Sequence, residues 1–377
     1  MVSSLHHIYS RAGSGALNYL NVFTNLIFFA TALLLLLAIT NFFTIRRPKS
    51  ATERSESVSI LIPVRNEAEN IADLVLSLQA QQFLIKPEII FINDSSTDET
   101  LKKLQQATLG GAQIKVVNAP SLPSGWLGKP WALQQGFLQA SGEIVVTLDA
   151  DVRLTPTGIS QAIAMLGERS FISPYPRQIA KTFSERLIQP LLQWSWISSV
   201  PLAIAKRSSN PSFAVANGQF FAVKKSALMK SGGYSSIKAE VLDDMQMARV
   251  LLRNKFKGTV GNGALIAQCH MYSSWDELRN GYAKSLWKGF GGVFGSIIAI
   301  ALLALTGIIP IVSAVLGSPL GWFAFEAVLI SRLISAKITR ANLFDSLLHP
   351  ISSVLLIYLI IYSWLMRGRI QWKGRTV

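Results

Sequence analysis

Apolar and polar positions divide this chain into membrane and soluble parts. Residues 22–45 and 289–325 carry no charge, and each stretch exceeds the roughly 20 apolar residues that cross a bilayer. Residues 347–366 form a further apolar stretch, whereas residues 58–288 have the mixed composition of a water-soluble domain. The pattern predicts an integral membrane protein with a large soluble domain between its membrane segments.

The order of these segments predicts the organisation of the chain. We expect a polar N-terminal segment, a membrane anchor, a linker, a cytoplasmic domain, and a membrane region of about three spans with a basic tail; these are residues 1–21, 22–45, 46–57, 58–288 and 289–377. A signal peptide is disfavoured because the positive charges follow the first apolar run. Three spans would leave the basic tail outside, against the positive-inside rule, so either one segment is re-entrant or the tail is an exception.

Within the soluble part, short apolar runs alternate with stretches of helical spacing. Predicted strands cover residues 58–63, 88–92, 114–117 and 144–148, and predicted helices cover residues 67–81 and 131–140. Ser96, followed by Glu99, has the capping-box spacing for the start of a further helix. The alternation predicts an α/β domain with a parallel sheet, which binds ligands beyond the carboxyl ends of its strands.

Four carboxylates follow those predicted strand ends. Asp149 and Asp151 come after the strand at residues 144–148, while Glu67 and Asp94 follow the first two strands. A lone Asp-x-Asp is often a solvated turn, but here all four carboxylates are expected at one edge of the sheet. Paired carboxylates suit Mg²⁺ or Mn²⁺, which also takes phosphate oxygens. No Gly-x-Gly-x-x-Gly or Walker lysine motif accompanies them, which disfavours a dinucleotide or P-loop fold.

The net charge of +15 and the pI near 10.0 raise the question of a nucleic-acid partner. The basic residues cluster beside the apolar stretches, as at Arg46, Arg47 and Lys49. The positive-inside rule and anionic lipid headgroups explain this placement, so the predicted partner is the membrane and not nucleic acid. The single cysteine, Cys269, excludes an internal disulfide, and we interpret it as unreactive.

Four stretches resemble known enzymes. SILIPVRNE at Ser59, INDSSTD at Ile92 and LDAD at Leu148 resemble the nucleotide-sugar half of family 2 glycosyltransferases, which have a GT-A fold. GWLGKPWALQQG at Gly125 is similar to a membrane-anchored subgroup that includes carotenoid- and hopanoid-associated glycosyltransferases. The resemblance implies a GT-A domain with transmembrane helices at both ends of the chain.

The resemblance implies roles on the donor side. Pro63 and Glu67 would line the nucleoside, Asp94 would bond the base, expected to be uracil, and Asp149 would lie near the ribose and the metal. Asp151 would bind the metal that bridges the diphosphate. Lys129 would approach the base or the phosphates; a solvated loop lysine is the alternative.

The resemblance also implies a catalytic base. A Glu-Asp pair stands in the family where this chain has Asp243 and Asp244, and its second carboxylate is the base. We therefore assign that role to Asp244 and a supporting role to Asp243. The alternative is that both simply favour the start of a helix, where acidic residues stabilise the helix dipole.

The acceptor side is predicted from aromatic and glycine positions. Residues 187–205 are uncharged and contain Trp194 and Trp196. A span there would put Asp151 and Asp244 on opposite sides of the membrane, so we expect an interfacial helix, with a buried core helix as the alternative. Gly218 would permit close approach of a substrate at a strand over residues 217–223. Gln219 and Trp287 complete the predicted acceptor side.

Together these features predict a membrane-bound, multi-pass inverting glycosyltransferase of the cell membrane. It would move one sugar from a nucleotide-diphospho-sugar, expected to be a UDP-sugar, to a lipid acceptor such as a carotenoid or hopanoid, with Mg²⁺ or Mn²⁺. The chain lacks the Gln-x-x-Arg-Trp motif of processive members, which favours a single transfer. A polyprenyl-phosphate sugar synthase and a polysaccharide synthase are the enzyme alternatives. A transporter or flippase would need more charged residues within its spans than Glu326, Asp345 and His349.

Overall fold

A seven-stranded sheet lies at the centre of the soluble domain. The structure is a computed structural model, and it describes residues 24–109, 114–369, 371–372 and 375–376. The strands are β1 (Val58–Val64), β2 (Glu88–Asn93), β3 (Ile114–Asn118), β4 (Ile144–Leu148), β5 (Val152–Leu154), β6 (Phe171–Tyr175), β7 (Arg177–Gln178), β8 (Phe220–Lys224), β9 (Gly258–Asn262), β10 (Ala267–Cys269), β11 (Gln371–Trp372) and β12 (Arg375–Thr376). The predicted N-terminal segment, residues 1–21, lies outside the described residues.

Strand direction brings distant parts of the chain to one edge of this sheet. The order is β3-β2-β1-β4-β8-β6-β9, with β1 to β4 parallel to one another and β8 antiparallel to both β4 and β6. The ends of β1 to β4, the start of β8 and the end of β6 therefore meet at one edge, here called the upper edge. A smaller sheet, in the order β5-β10-β7, adjoins it.

Fifteen helices in the described residues cover the sheet or form an apolar group beside it. They are α1 (Thr24–Thr44), α2 (Ile71–Gln79), α3 (Thr100–Leu109), α4 (Gly128–Gln139), α5 (Gly158–Leu166), α6 (Phe183–Ser199), α7 (Leu202–Ala205), α8 (Lys225–Lys230), α9 (Asp243–Arg253), α10 (Trp275–Ala283), α11 (Leu286–Gly289), α12 (Gly292–Leu303), α13 (Ile309–Val315), α14 (Pro319–Thr339) and α15 (His349–Leu365) in the described part of the chain. Single 3₁₀ segments lie at Pro211–Phe213, Gly233–Ile237 and Leu343–Leu348, and a π-helical segment at Ala304–Ile308 joins α12 to α13.

Alternating side chains give the sheet two buried faces. Ile60 and Ile62 of β1 pack in a core with α2, α3 and α5, whereas Leu61 packs in a second core with α4, α8 and α9. Successive side chains of a strand point to opposite faces of the sheet, so these alternating contacts show that both faces of β1 are covered by helices. Helix α4 approaches β2 very closely, since a Cβ on Gly136 would lie 2.6 Å from Ile92 Cδ1. The predicted α/β class is confirmed.

Three predicted helix starts differ from the structure. Helix α4 begins at Gly128, three residues before the predicted start at Trp131. Helix α2 begins at Ile71 and not at Glu67, because Asn66 adopts a left-handed φ of 53° and the Glu67 N–H donates to Thr100 Oγ1 at 2.8 Å. The Ser96 capping prediction is wrong. Ser96 Oγ accepts from the Asn66 N–H, and Asp98 Oδ1 accepts from the N–H of Thr100, where α3 begins.

Four helical stretches are long and apolar enough to cross a membrane: Thr24–Thr44, Gly292–Val315, Pro319–Thr339 and Leu343–Leu365 in the described residues. The first matches the predicted anchor. The predicted turn near Gly317 separates the second stretch from the third. The last three correspond in number to the spans expected after the soluble domain.

Helix α6 lies between the soluble domain and these apolar helices. Its capping box, formed by Thr182 and Glu185, starts it four residues before the predicted segment. Asn41 at the end of α1 donates to the carbonyls of Ile197 and Val200, each at 2.7 Å. Because Asn262 at the end of β9 also donates to the Ile338 carbonyl at 2.8 Å, the sheet, α1, α6 and α14 are directly joined.

Candidate active site

Lys129 joins two aspartate pairs at the upper edge. It lies in the first turn of α4, and its Nζ is 2.7 Å from Asp149 Oδ1 and 3.5 Å from Asp243 Oδ2. Burial works to lower the pKa of the Lys129 ammonium, but Asp149, Asp243 and Asp244 outweigh it and raise the pKa above its ordinary value. The lysine is therefore a fixed positive charge between carboxylates that follow β4 and carboxylates that open α9.

Asp151 follows β4 at the same edge as Asp149. Its Oδ1 atom is buried and has no hydrogen-bond partner among the residues that the structure describes. Burial first, and then repulsion from Asp149 and Glu67, raises the pKa of Asp151 to about 6. A buried oxygen without a partner is costly, and a cation or a proton would remove that cost.

These aspartates suit a divalent cation that has only a few protein ligands. Within the described residues, no group of three or more His, Cys, Asp and Glu side chains is placed to hold a metal ion. Magnesium in nucleotide sites is typically held by one or two carboxylates, with phosphates and water filling the other positions. The unpartnered oxygen of Asp151, beside the Asp149 carboxylate, fits that mode of binding.

Asp243 and Asp244 open α9 and line a small cleft at the upper edge. Gly218, Thr147 and Tyr234 line the same cleft. Asp244 Oδ1 accepts from the Met245 N–H at 2.7 Å. Burial and then the adjacent Asp243 raise the pKa of Asp244 to about 7, and burial also raises the pKa of Asp243 against the opposing effect of Lys129. An aspartate with a near-neutral pKa is suited to proton transfer.

Gly218 brings the start of β8 against both charged groups. A Cβ on Gly218 would lie 3.1 Å from Lys129 Nζ and 3.5 Å from Asp244 Oδ2. The Gln219 carbonyl accepts from the Asp149 N–H at 3.1 Å. The antiparallel pairing of β8 with β4 explains this arrangement, since Phe220 pairs with Leu148.

The predicted donor residues lie at neighbouring strand ends. Pro63 is the penultimate residue of β1 and pairs with Ile92 of β2. Glu67 Oε2 accepts from Asn70 Nδ2 at 2.9 Å. Asp94 is 5% exposed, and its N–H donates to the Val64 carbonyl at 2.9 Å.

The three predicted acceptor tryptophans occupy different places. Trp194 Nε1 donates to Ser331 of α14 at 2.8 Å, so this side chain packs among the apolar helices. Trp287 contacts Trp364, near the end of α15. Trp196 stacks on Tyr175, with ring centroids 5.4 Å apart, and Tyr175 ends β6 at the upper edge. Of these three side chains, Trp196 contacts a strand that ends at the upper edge, whereas Trp194 and Trp287 contact the apolar helices.

Sequence patterns did not place Cys269 or Tyr175 beside the aspartates. Cys269 pairs in register with Val152, next to Asp151, and its Sγ accepts from Gln219 Nε2 at 2.8 Å. Burial raises the pKa of this thiol well above its ordinary value, in agreement with the expected unreactive cysteine. Tyr175 hydrogen-bonds the Asn217 side chain. Neither residue belongs to a short sequence motif. The position of Tyr175 at the end of a strand was the one sequence feature that could have indicated its place near the site.

Comparisons with known proteins agree with this architecture. Residues 59–232 match the family described as glycosyl transferase family 2. The chain is 25% identical over 352 residues to 4,4'-diaponeurosporenoate glycosyltransferase of Staphylococcus aureus, covering 87% of this chain and 90% of that protein. The solved structure of the mannosyltransferase PcManGT from Pyrobaculum calidifontis, in complex with GDP-mannose and Mn²⁺, is similar with a TM-score of 0.57 at 18% identity, covering 92% of this chain and 96% of that one.

Residues 59–232 thus form a glycosyl transferase family 2 domain, and the fold is GT-A. The protein is a glycosyltransferase, and relatives that match most of its length are named 4,4'-diaponeurosporenoate glycosyltransferases. The family resemblance, the fold class and the predicted enzyme class are confirmed.

Proposed function

We propose that this protein transfers one sugar from a nucleotide-diphospho-sugar to the oxygen-bearing end of a membrane-soluble acceptor, with inversion at the anomeric carbon. The observation that carries this proposal is the pairing of Lys129 with both Asp149 and Asp243, at 2.7 and 3.5 Å. Because one lysine contacts both Asp149, a predicted donor carboxylate, and Asp243, a predicted supporting carboxylate of catalysis, the pairing supports a single site for both substrates. A transfer between two bound substrates requires this proximity.

On the donor side, Pro63, Glu67 and Asp94 are proposed to hold the nucleoside, with Asp94 bonding uracil. Asp149 and Asp151 are proposed to hold Mg²⁺ or Mn²⁺ against the diphosphate. When bound, the cation stabilises the negative charge that develops on the leaving diphosphate. The ion pair with Lys129 Nζ, 2.7 Å from Asp149 Oδ1, orients the Asp149 carboxylate for that role.

On the acceptor side, Asp244 is proposed to accept the proton of an attacking hydroxyl. A direct attack on the anomeric carbon, opposite to the diphosphate, inverts the configuration. The acceptor of the S. aureus relative, diaponeurosporenoate, is by its name a carboxylate, which attacks without losing a proton. A hydroxyl acceptor needs the base, and a carboxylate acceptor does not.

The joined apolar helices support placement in the cell membrane. Asn41, at the end of α1, bonds α6, while Asn262 of β9 bonds the end of α14. We propose that the first and later apolar helices cross the bilayer and that the sheet domain lies in the cytoplasm, beside the acceptor in the membrane.

The test is a transfer assay with the purified full chain in lipid nanodiscs. UDP-glucose, UDP-N-acetylglucosamine and GDP-mannose would each be offered with retinol and with retinoic acid, which share a polyene and end in a hydroxyl or a carboxyl group. We expect a product carrying one sugar, formed from a UDP-sugar, with the anomeric configuration inverted in its NMR spectrum. A polymer, a retained configuration, or equal activity on a water-soluble acceptor without lipid would contradict the proposal.

A further inference from the structure

Helix α6 carries a row of polar side chains on one face. The residues are Glu185, Gln189, Gln193 and Trp196, here called the polar row. Their spacing of four, four and three residues places them along one side of a helix. Glu185, Gln189 and Gln193 are 0%, 2% and 1% exposed, so the row is enclosed by protein.

The opposite face of α6 accounts for its packing against the apolar helices. Leu187, Ile188, Leu191 and Trp194 belong to one buried cluster with Val328 of α14 and Leu356 and Leu359 of α15. Arg186 also pairs with Asp345 at 2.6 Å. These contacts fix α6 in place without any contribution from the two glutamines.

Both ends of the polar row contact residues that border the aspartates. At one end, Glu185 Oε1 lies 3.5 Å from Nε2 of His270, which follows Cys269 beside Asp151. At the other end, Trp196 stacks on Tyr175, whose phenol lies within electrostatic range of Asp244. Gln189 and Gln193 lie between these two contacts along α6, on the same side of the helix as Glu185 and Trp196.

The glutamines in the middle of the row lack partners. Both amide atoms of Gln189, Nε2 of Gln193 and Nε1 of Trp196 are buried, and each is without a hydrogen bond to any residue in the described ranges. An unpaired buried amide costs free energy, and an apolar side chain of similar shape avoids that cost. Polar groups kept here at this cost indicate a ligand that completes their hydrogen bonds.

The sheet order separates the polar row from the nucleotide. Tyr175 ends β6, which is three strands from β1 and four from β2 in the order of the sheet. At about 4.8 Å between neighbouring strands, this amounts to roughly 14–19 Å. The predicted nucleoside residues Pro63, Glu67 and Asp94 lie at or beyond the ends of β1 and β2, so the Trp196 end of the row lies on the far side of Asp149 from them.

We propose that the polar row is the binding site for the oxygen-bearing end of the acceptor, and that Gln189 and Gln193 position that oxygen for transfer. The inference rests on the proposed function for the identity of the ligand as an acceptor. A glutamine amide both donates and accepts, so a hydroxyl and a carboxyl end both fit. The apolar remainder of the ligand would extend from the row toward the membrane-region helices.

The experiment measures binding separately from transfer. Gln189→Leu, Gln193→Leu and the double variant would be compared with the wild-type full chain in nanodiscs. Ser195→Ala is the matched control, since Ser195 is on α6 but its Oγ bonds only the Leu192 carbonyl of the same helix. The probes are retinol, retinoic acid and β-carotene, which has no oxygen. Binding is followed by quenching of tryptophan fluorescence, and UDP-glucose binding by calorimetry.

We expect each leucine variant to bind retinol and retinoic acid about tenfold more weakly, with KM for these acceptors raised to match. Binding of β-carotene and of UDP-glucose should be unchanged, and the melting temperature should stay equal or rise, because the substitution removes unpaired buried amides. Ser195→Ala should behave as the wild type in every assay.

Other outcomes overturn the inference. If the leucine variants bind retinol and retinoic acid as the wild type does, the inference is wrong. If they also lose affinity for UDP-glucose, the row belongs to the donor site. A wild-type protein that binds retinol through the row but yields no glycoside would support the row as a lipid site and refute the proposed function. The two failures are therefore distinguishable.

Discussion

The donor and acceptor sides of the cleft are built in different ways. Donor-side residues follow β1, β2 and β4, which are parallel neighbours. Apart from the buried Oδ1 of Asp151, which is assigned to the cation, their carboxylates are held by protein groups: Glu67 accepts from Asn70, and Asp149 pairs with Lys129. Acceptor-side residues come from β6, β8, α6 and α9. Among the described residues, this side holds the unpartnered amides of Gln189 and Gln193.

This difference indicates two kinds of recognition. A nucleotide-sugar carries many polar groups and meets a site whose side chains are already held in place, which lowers the ordering cost of binding. An extended apolar acceptor offers few polar groups. A short row of unpaired amides then discriminates strongly, because only a ligand with a correctly placed oxygen completes the hydrogen bonds.

The largest expected effect comes from Asp244→Asn. With retinol, the variant should lose about 10²–10⁴-fold in turnover, since an asparagine cannot accept the proton in the transition state. Asn keeps an oxygen for the Met245 N–H, so helix α9 and donor affinity should be unchanged. With retinoic acid, whose carboxylate is already ionised, the loss should be much smaller. The measurement is kcat for each acceptor under saturating UDP-glucose.

The two acceptors control for one another in this experiment. An equal loss with retinol and retinoic acid would show that Asp244 acts on the donor or on folding and not as a base. Near-normal turnover with retinol would make Asp243 the next candidate for the base.

Asp151→Asn should have the next largest effect and should act on the donor side alone. We expect about 10²–10³-fold lower turnover, comparable to removing one electrostatic contact to a developing charge. Calorimetry should show that Mn²⁺ no longer strengthens UDP-glucose binding. Retinol binding should not change. Because burial and Asp149 disfavour the charge on Asp151, the neutral variant should melt at the same or a higher temperature.

Excess chelator on the wild type is the companion measurement for Asp151. It should reproduce the loss of UDP-glucose affinity and leave Asp151→Asn unaffected. Unchanged affinity and turnover of the wild type in chelator would refute the proposed metal role.

The donor side was predictable from the sequence for a physical reason. Asp94 and Asp149 directly follow strands, and Glu67 comes three residues after β1. Because neighbouring parallel strands end at one edge, local patterns were enough to predict them together. Helix boundaries were less predictable. The start of α2 depends on the contact between Glu67 and Thr100, which lie 33 positions apart, and no local propensity contains that information.

The acceptor side was only partly predictable. The carboxylates at Asp243 and Asp244 were identified through the family resemblance, and Gly218 through its place before a strand. The polar row was not, because Gln189 and Gln193 lie in an uncharged segment whose tryptophans suggested an interfacial role. Their burial, and the separation of Trp194 from Trp196 onto different faces of α6, follow from packing between the sheet domain and the apolar helices.

The smallest expected effect is on the pH dependence of transfer to retinol. Asp244 must be ionised to act as a base, and its pKa lies at about 7, raised by burial and then by Asp243. In the wild type, kcat/KM with retinol should therefore fall as the pH drops below neutral. Asp243→Asn removes the neighbouring negative charge, so the pKa of Asp244 should fall and the acid limb should move to lower pH. Near neutral pH, the variant should differ from the wild type only a few-fold, about the range of a weak supporting contact.

The measurement is kcat/KM for retinol across the acid and neutral range, with Asp244→Asn as the control that should lack this limb. A limb that stays in place, or moves to higher pH, would show that Asp243 does not set the ionisation of Asp244.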